Sequence, residues 1–209
     1  MTTLLSWLIF VPLVGALAVA FLPDDRKDLA RATSLATSIL AFLISCVMFV
    51  NFNGKSFHFQ MEEKVPWIER FGISYHLGVD GTSIWLVMLT TFLMVISVWF
   101  SFYVDKKVKA YMALLLLLES AMLGVFLSLD MILFFVFFEA TLVPMYFLIN
   151  IWGGARRAYA ALKFFLFTAA GSILMLVGMV ILAWIHSQKY GTMTFDIVTI
   201  QSSIAKGEF

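Results

Sequence analysis

Six long apolar segments constrain what this chain can fold into more than any other feature of its 209 residues. A helix needs about 20 consecutive, mostly apolar residues to cross the hydrocarbon core of a bilayer, and each segment approaches or exceeds that length. The composition agrees, with 62% hydrophobic residues, 13% charged residues and a mean hydropathy of +0.98. Soluble proteins contain about a quarter charged residues. We therefore predict an all-α integral membrane protein in contact with lipid along most of its length.

The predicted domain organisation is a single transmembrane domain over residues 1–209, with one extramembrane loop and a tail. The loop, residues 51–79, contains Glu62, Glu63 and Glu69 and is too charged to cross a bilayer. The tail, residues 187–209, holds neither a further apolar segment nor a terminal signal, so we expect a truncated piece of a larger protein. The six helices are predicted at about residues 2–22, 29–50, 81–104, 110–129, 131–151 and 158–186.

Positive charges are concentrated in alternate short loops, which predicts how the chain is oriented. Short loops rich in lysine and arginine are retained on the cytoplasmic side of a membrane. The first, third and fifth loops are therefore expected to be cytoplasmic, and the N-terminus periplasmic, in a bacterial inner (plasma) membrane. These loops and their edges hold Arg26, Lys27, Arg31, Lys106, Lys107, Lys109, Arg156 and Arg157.

Several classes of function are excluded or disfavoured by the composition. A net charge of +1 without a basic block gives no support to nucleic acid as a partner. The single cysteine, Cys46, cannot build a disulfide framework, a cysteine zinc site or an iron–sulfur cluster on its own. His58, His76 and His186 lack metal-ligand spacing, and no phosphate-binding glycine loop or dinucleotide fingerprint is present. We therefore expect no metal or cofactor in this chain.

Two glutamates near the centres of predicted helices are the first candidates for chemistry. Glu119 is the tenth residue of the fourth segment, and Glu139 is the ninth residue of the fifth. A charge at the bilayer centre costs at least about 2.5 kcal/mol, so such residues usually face the protein interior and are functional. A tight turn around Leu129 and Asp130 joins the two helices and makes them antiparallel neighbours. Both carboxyls then lie about 15 Å below the outer surface.

The depth of Glu119 and Glu139 predicts that they exchange protons. Burial disfavours an ionised carboxylate, and a second carboxyl nearby disfavours it further. One proton is therefore expected to be held near neutral pH, as a proton-transfer site requires. The competing interpretation is structural, because polar side chains also join helices by hydrogen bonds inside membranes.

Further polar residues of the fifth segment extend from Glu139 toward the cytoplasmic end. Glu139, Tyr146 and Asn150 recur at i, i+7 and i+11, which places them on one stripe of a helix. Pro144 has no amide proton for the carbonyl of Ala140, so we expect a kink and local hydration beside Glu139. Tyr146, Asn150 and Pro144 are therefore predicted to support proton transfer at Glu139.

Lys163 in the sixth segment allows two interpretations. It lies about eight residues beyond the turn at Gly153 and Gly154, which corresponds to a depth of roughly 12 Å. Its charge either modulates Glu139 or extends back to the cytoplasmic headgroups. Its position in the sequence does not decide between them.

Several motifs in order resemble one known family. The chain is similar to the antiporter-like subunit M family of proton-pumping NADH:quinone oxidoreductase, respiratory complex I. The resemblance covers nearly all of the chain. It rests on Gly-Val-Asp-Gly at 78–81, the segment 118–130 with Leu-Glu and Gly-Val-Phe, Phe-Glu at 138–139, Pro-Met-Tyr at 144–146, Trp-Gly-Gly at 152–154 and Lys-Phe-Phe at 163–165.

The resemblance implies a proton-translocating function and assigns roles to three residues. Glu139 matches the essential glutamate of the family's fifth helix, Glu119 a second functional glutamate, and Lys163 a motif position on the sixth helix. The family has about fourteen helices in two inverted repeats. Its seventh-helix lysine, the partner of the fifth-helix glutamate, has no counterpart here. NADH, FMN, iron–sulfur clusters and quinone are expected in partner subunits, so the chain would belong to an oxidoreductase complex without performing redox chemistry.

Two other functions remain compatible with these residues. Related subunits of multi-subunit sodium/proton antiporters and of membrane-bound hydrogenases look similar over the same helices. Alternatively, the chain is a structural membrane scaffold whose glutamates only join helices. The resemblance to complex I implies three kinds of partner: the other membrane-arm subunits of complex I, the lipid bilayer and protons.

Overall fold

The structure, a computed structural model, describes residues 3–56 and 58–205. Within them lie seven α-helices, one β-hairpin and two short 3₁₀ helices, Glu69–Phe71 and Ser101–Tyr103. Strands β1 (Gln60–Ile68) and β2 (Ile73–Val79) pair antiparallel between the second and third helices. The helices are α1 (Leu4–Ala20), α2 (Lys27–Asn51), α3 (Ser83–Phe100), α4 (Val108–Leu127), α5 (Met131–Trp152), α6 (Arg157–Tyr190) and α7 (Ile197–Ala205).

Five of these helices, α2 to α6, are long and apolar enough to cross a membrane. Helix α1 is apolar but has only 17 residues, which corresponds to about 25 Å. The six segments predicted from hydropathy lie on α1 to α6. Two elements were not predicted: the hairpin inside the loop at residues 51–79, and α7 inside the tail at residues 187–209. Residues 206–209 of that tail lie outside the described part of the chain.

The helices alternate in direction and so define two ends of the molecule. We call one end the hairpin side; it comprises the hairpin, the α4–α5 turn at residues 128–130 and residues 191–205. The opposite side comprises the loops at residues 21–26, 101–107 and 153–156. On the opposite side Arg31 pairs with Asp28 and Asp105, and Lys109 pairs with Asp24. The eight cations that predicted the cytoplasmic loops lie at this end.

Helix α4 is central, because α1, α2, α3 and α5 all pack against it. Small residues permit this packing. The hydroxyl of Ser120 donates to the carbonyl of Ile9 on α1 at 2.8 Å. A Cβ added at Gly124 would lie 2.3 Å from the ring of Phe137 on α5, so only glycine allows this approach. Ser120 and Gly124 therefore lie at helix interfaces, whereas Ser128 follows the end of α4 and pairs with Leu77 of the hairpin.

The α4–α5 turn is held between the hairpin and the segment before α7. The amide of Leu129 donates to the carbonyl of His76 on β2 at 2.8 Å. On its other edge, the amide of Ile197 donates to the carbonyl of Leu129, and the amide of Met131 donates to the carbonyl of Phe195, both at 2.9 Å. These bonds fix the turn that joins the two helices carrying the candidate glutamates.

Candidate functional site

Glu119 lies in the centre of the bundle and is fully buried, with no exposed side-chain surface. Its Oε2 accepts a hydrogen bond from the hydroxyl of Ser38 on α2 at 3.2 Å. Its Oε1 is buried without a hydrogen-bond partner among the described residues. Ser38 and Glu119 each come eleven residues after the start of their helix, at Lys27 and Val108. The pair is therefore about 16 Å from the opposite side.

Glu139 lies on α5 and is partly buried, eight residues or about 12 Å from the start of the helix at Met131. Its Oε1 is also buried without a partner in the described part of the chain. Pro144 is buried within the same helix and leaves the carbonyl of Ala140 without its usual helical donor. Asn150, near the other end of α5, is half-buried.

The structure brings the two helices of these glutamates together without joining their carboxyls. The close approach of Gly124 to Phe137 places α4 against α5 near both residues. No hydrogen bond links Glu119 to Glu139 within residues 3–56 and 58–205. A buried acceptor without a partner costs about 1–3 kcal/mol, and more when it is charged. Both carboxyls are therefore suited to bind a proton or a water molecule, as well as a partner from another segment.

Lys163 and Tyr146 occupy different surroundings. Tyr146 is half-buried, and its ring packs against that of Phe165 on α6 with centroids 5.9 Å apart. Lys163 lies on an exposed face of α6, where its Nζ is 5.9 Å from the ring centroid of Tyr159 and 5.8 Å from that of Phe167. In the described residues Lys163 forms neither an ion pair nor a hydrogen bond with Glu139. Its charge is stabilised by aromatic rings instead.

A second polar cluster, on the hairpin side, was not predicted. His76 on β2 is 2% exposed, and its Nδ1 lies 2.9 Å from Oδ2 of Asp196, just before α7. Its Nε2 lies 3.1 Å from Oε2 of Glu62, and Lys64 pairs with the same Asp196 oxygen. We call these four residues the His76 cluster. It joins the hairpin to the segment that precedes α7.

The His76 cluster shifts the pKa values of two of its members in opposite directions. Burial alone would lower the pKa of His76, but the hydrogen bonds to Asp196 and Glu62 outweigh it, so the pKa is raised above 6.5. Burial would raise the pKa of Asp196, whereas the hydrogen bonds from His76 and Lys64 lower it well below 3.8. The charged forms of both residues therefore favour the folded state.

The His76 cluster is expected to stabilise the hairpin side in a limited pH window. A raised pKa means that the contribution of His76 is complete below 6.5 and is lost as the pH rises through its folded value. The contribution of Asp196 is present above 3.8. As the pH rises from 6.5 through the raised pKa of His76, the melting temperature of the full-length protein should therefore fall more steeply in the wild type than in His76→Gln.

His58 provides the matched control for this prediction, because it lies in the same extramembrane loop but is exposed. His58→Gln should reproduce the wild-type dependence on pH. If His76→Gln and the wild type lost stability in parallel over this range, His76 would not contribute through its charge.

Asp130 and Glu63, both on the hairpin side, each accept hydrogen bonds at the start of a helix. Asp130 is fully buried; its Oδ1 accepts from the amides of Ile132 and Leu133 at 2.9 and 3.2 Å, and its Oδ2 accepts from the amide of Ser74 at 2.9 Å. The N-cap position could have been recognised, because an aspartate precedes an apolar run. Glu63 of the hairpin caps the start of α1, because its Oε1 accepts a hydrogen bond from the amide of Leu5 at 2.7 Å. Leu5 and Glu63 are 58 residues apart, so no local sequence pattern indicates this contact.

Comparison with known proteins shows similarity to one family over nearly the whole chain. Residues 128–206 match the family described as NADH:quinone oxidoreductase/Mrp antiporter, transmembrane. NADH-quinone oxidoreductase subunit M of Rhodobacter capsulatus is 43% identical over 97% of this chain, and that of Rickettsia prowazekii is 38% identical over 94%. The structure superposes on a chain of respiratory complex I from Thermus thermophilus with a TM-score of 0.80 and 26% identity, covering 95% of this chain.

The chain spans about two-fifths of the length of these proteins: 39% and 40% of the two subunits M, and 39% of the Thermus thermophilus chain. Within that span the match is nearly continuous, and it includes the helices that carry Glu119, Glu139 and Lys163. The helices long enough to cross a bilayer identify an integral membrane protein. Over its matched length the chain is similar to the NADH:quinone oxidoreductase/Mrp antiporter family and, within it, to the antiporter-like subunits that include subunit M of respiratory complex I.

Proposed function

We propose that this chain forms part of a proton-translocating subunit in the membrane arm of NADH:quinone oxidoreductase. The observation that carries the proposal is the pair of glutamates on adjacent helices, Glu119 and Glu139. Each has a buried carboxyl oxygen without a partner in the described residues. Quinone reduction elsewhere in the complex would drive protons through them. The relatives named subunit M support the assignment to this complex.

The proposed mechanism is electrostatic. Glu139 gains and loses a proton as a cation on a neighbouring segment withdraws and approaches, because a nearby positive charge favours the carboxylate. Lys163 contributes a charge from α6, nearer the opposite side than Glu139, and acts on Glu139 over a distance. Tyr146, Asn150 and Pro144 support hydration along α5 between Glu139 and the opposite side. Glu119 is the second proton-binding group.

The proposed setting is a single transmembrane domain within a subunit of about fourteen helices, built as two inverted repeats. The chain itself would hold no cofactor, and NADH, FMN, iron–sulfur clusters and quinone would bind to partner subunits. The opposite side, with its eight clustered cations, would face the cytoplasm of a bacterial inner membrane. The hairpin side and the N-terminus would then be periplasmic.

Inverted membrane vesicles that contain the full-length protein in its complex provide the test. Their outer surface is the cytoplasmic one, so NADH should drive proton uptake into the lumen, measured by quenching of an acridine dye. Uptake should be abolished by a quinone-site inhibitor and should not require Na⁺. Vesicles that oxidise NADH and acidify equally well when this subunit is deleted would contradict the proposal.

A second candidate function is favoured by one observation, the description of the matching family, which also names the Mrp antiporter. In that case the chain would belong to a sodium/proton antiporter or to a related membrane-bound hydrogenase. An imposed pH gradient should then drive ²²Na⁺ flux without NADH. Sodium flux that disappears together with the subunit would favour this second function.

A further inference from the structure

One face of α2 combines complete burial with a polar composition. The serines Ser34, Ser38 and Ser45 on this face have no exposed surface. In a transmembrane helix such a face lies against protein, and its hydroxyls need partners there. The buried positions of the helix are Ala30, Ser34, Ser38, Ala41, Ser45 and Met48.

Unpartnered polar atoms concentrate along the first half of this face. Among the described residues, four buried side-chain nitrogen or oxygen atoms lack a hydrogen-bond partner. Three of them lie in order along this face: Nε of Arg31, Oγ of Ser34 and Oε1 of Glu119. Glu119 is on α4 but meets the face at Ser38, which donates to its other carboxyl oxygen. Buried polar atoms in proteins are normally paired with protein or with ordered water. Three on one line indicate a row of water sites.

The spacing of these residues fits single water molecules. Ser34 and Ser38 are one helical turn apart, a rise of about 6 Å, which is too far for a direct bond between hydroxyls. One water bridges this distance with two hydrogen bonds of about 2.8 Å. Arg31 and Ser34 are separated by a rise of about 4.5 Å, which one water also spans. The row therefore connects Glu119 to the start of α2 on the opposite side.

This row begins beside a charged cavity. Arg31 is held at the membrane surface by the carbonyl of Val104 at 3.1 Å and by the carboxylate of Asp105 at 3.0 Å. Asp105 lines a cavity of about 400 Å³ between the α1–α2 loop and the start of α4. The cavity is also lined by Asp24, Arg26, Lys27, Lys107 and Lys109. Bulk water thus reaches the group that pairs with Arg31.

Beyond Glu119 the same face is closed. Ala41 offers no polar atom, and the hydroxyl of Ser45 is already bonded to Thr91 at 2.8 Å and to the carbonyl of Phe42 at 2.7 Å. The hydroxyls of this half are satisfied within the protein. A row of waters would therefore end at Glu119 and open toward one side only.

We propose that the α2 face formed by Arg31, Ser34 and Ser38 is a one-sided water path that connects the cavity at Asp105 with Glu119. Protons enter from the cavity as hydrated protons and pass along the waters and the Ser34 hydroxyl. The last water protonates Oε1 of Glu119, while Oε2 keeps its bond from Ser38. Arg31 acts as a positioning group at the entrance. The transport role of this path rests on the proposed function, but its hydration does not.

Silver ions test the path, because Ag⁺ is close to water in size and reacts with thiols. Ser34→Cys and Ser45→Cys are compared in a Cys46→Ala background, in the full-length protein within its detergent-solubilised complex. The two sites match: both are fully buried on one face, seven residues after the start of α2 and six before its end. After timed exposure to Ag⁺, the complex is denatured, and the thiols still free are alkylated and counted by mass spectrometry.

The thiol at position 34 is expected to react with Ag⁺ about tenfold faster than the thiol at position 45, since access controls thiol reactivity. Equal rates would overturn the path. If Ser34→Cys failed to assemble, Ser38→Cys would be compared with Ser45→Cys under the same criterion.

Pumping measurements then separate this path from the proposed function. Ser34→Val should lower the rate of proton uptake into vesicles several-fold, whereas Ser45→Val should leave it near the wild-type rate. Rapid reaction with Ag⁺ at position 34 in a complex that does not pump would support the path and refute the function. Equal Ag⁺ rates in a complex that pumps would do the reverse.

Discussion

Replacing Glu139 by glutamine in the full-length protein is expected to lower proton translocation by about tenfold or more while the complex still assembles. Glutamine has nearly the same volume as glutamate and keeps a polar group at the position whose Oε1 is now buried without a partner. It cannot bind and release a proton. The substitution therefore removes proton transfer and leaves packing intact. The measurement is proton uptake per NADH oxidised, in inverted vesicles with matched amounts of assembled complex.

Glu69→Gln is the control for Glu139→Gln, because Glu69 is an exposed carboxylate on the hairpin side. It should leave both the pumping rate and assembly unchanged. Wild-type pumping in Glu139→Gln would refute the role of Glu139. Loss of assembly before any loss of pumping would favour the structural scaffold instead, since the glutamate would then act through its hydrogen bonds to other helices.

The transmembrane helices could be predicted from the sequence because hydropathy alone determines them. In lipid every backbone polar group must be satisfied within the chain, so a long apolar segment has only the helix available. The segments predicted at residues 110–129 and 131–151 correspond to α4 (Val108–Leu127) and α5 (Met131–Trp152). Their ends differ by at most two residues, which is the usual uncertainty of helix termini.

The hairpin could not be predicted because it depends on contacts far away in the sequence. An isolated two-stranded hairpin is only marginally stable in water. Here Glu63 of β1 binds the start of α1, and β2 is bonded to the α4–α5 turn through His76 and Leu129. Helix α7 has only nine residues and is likewise attached through Asp196. No local pattern encodes such contacts.

In the candidate site, too, some features could be predicted from the sequence and others depend on contacts between distant residues. Glu119 and Glu139 could be recognised as candidates from the sequence, because burying a carboxylate in an apolar helix is costly and therefore rare. The contact of Glu119 with Ser38 spans 81 residues and depends on how α2 packs against α4. The sequence also left Lys163 with two interpretations. In the structure Lys163 lies among aromatic rings on an exposed face of α6, so any effect on Glu139 acts over a distance.

Asp130→Ala is expected to destabilise the protein by about 2–4 kcal/mol. The change removes the N-cap of α5 and leaves the buried amide of Ser74 on β2 without its acceptor. Loss of a helix cap costs about 1 kcal/mol, and an unsatisfied buried donor adds about 1–3 kcal/mol. The measurement is the free energy of unfolding of the full-length protein in mixed detergent micelles.

Asp80→Ala separates the two contributions to the effect of Asp130→Ala. Asp80 accepts at the start of α3 from the amides of Thr82 and Ser83, at 3.2 and 2.7 Å, but makes no bond to another element within the described residues. The Asp80→Ala protein should therefore lose only the stability that the helix cap provides, about 1 kcal/mol. Equal losses for the two variants would mean that the bond from Asp130 to Ser74 adds nothing. A larger loss for Asp130→Ala would establish that the hairpin stabilises the turn between the two glutamate-bearing helices.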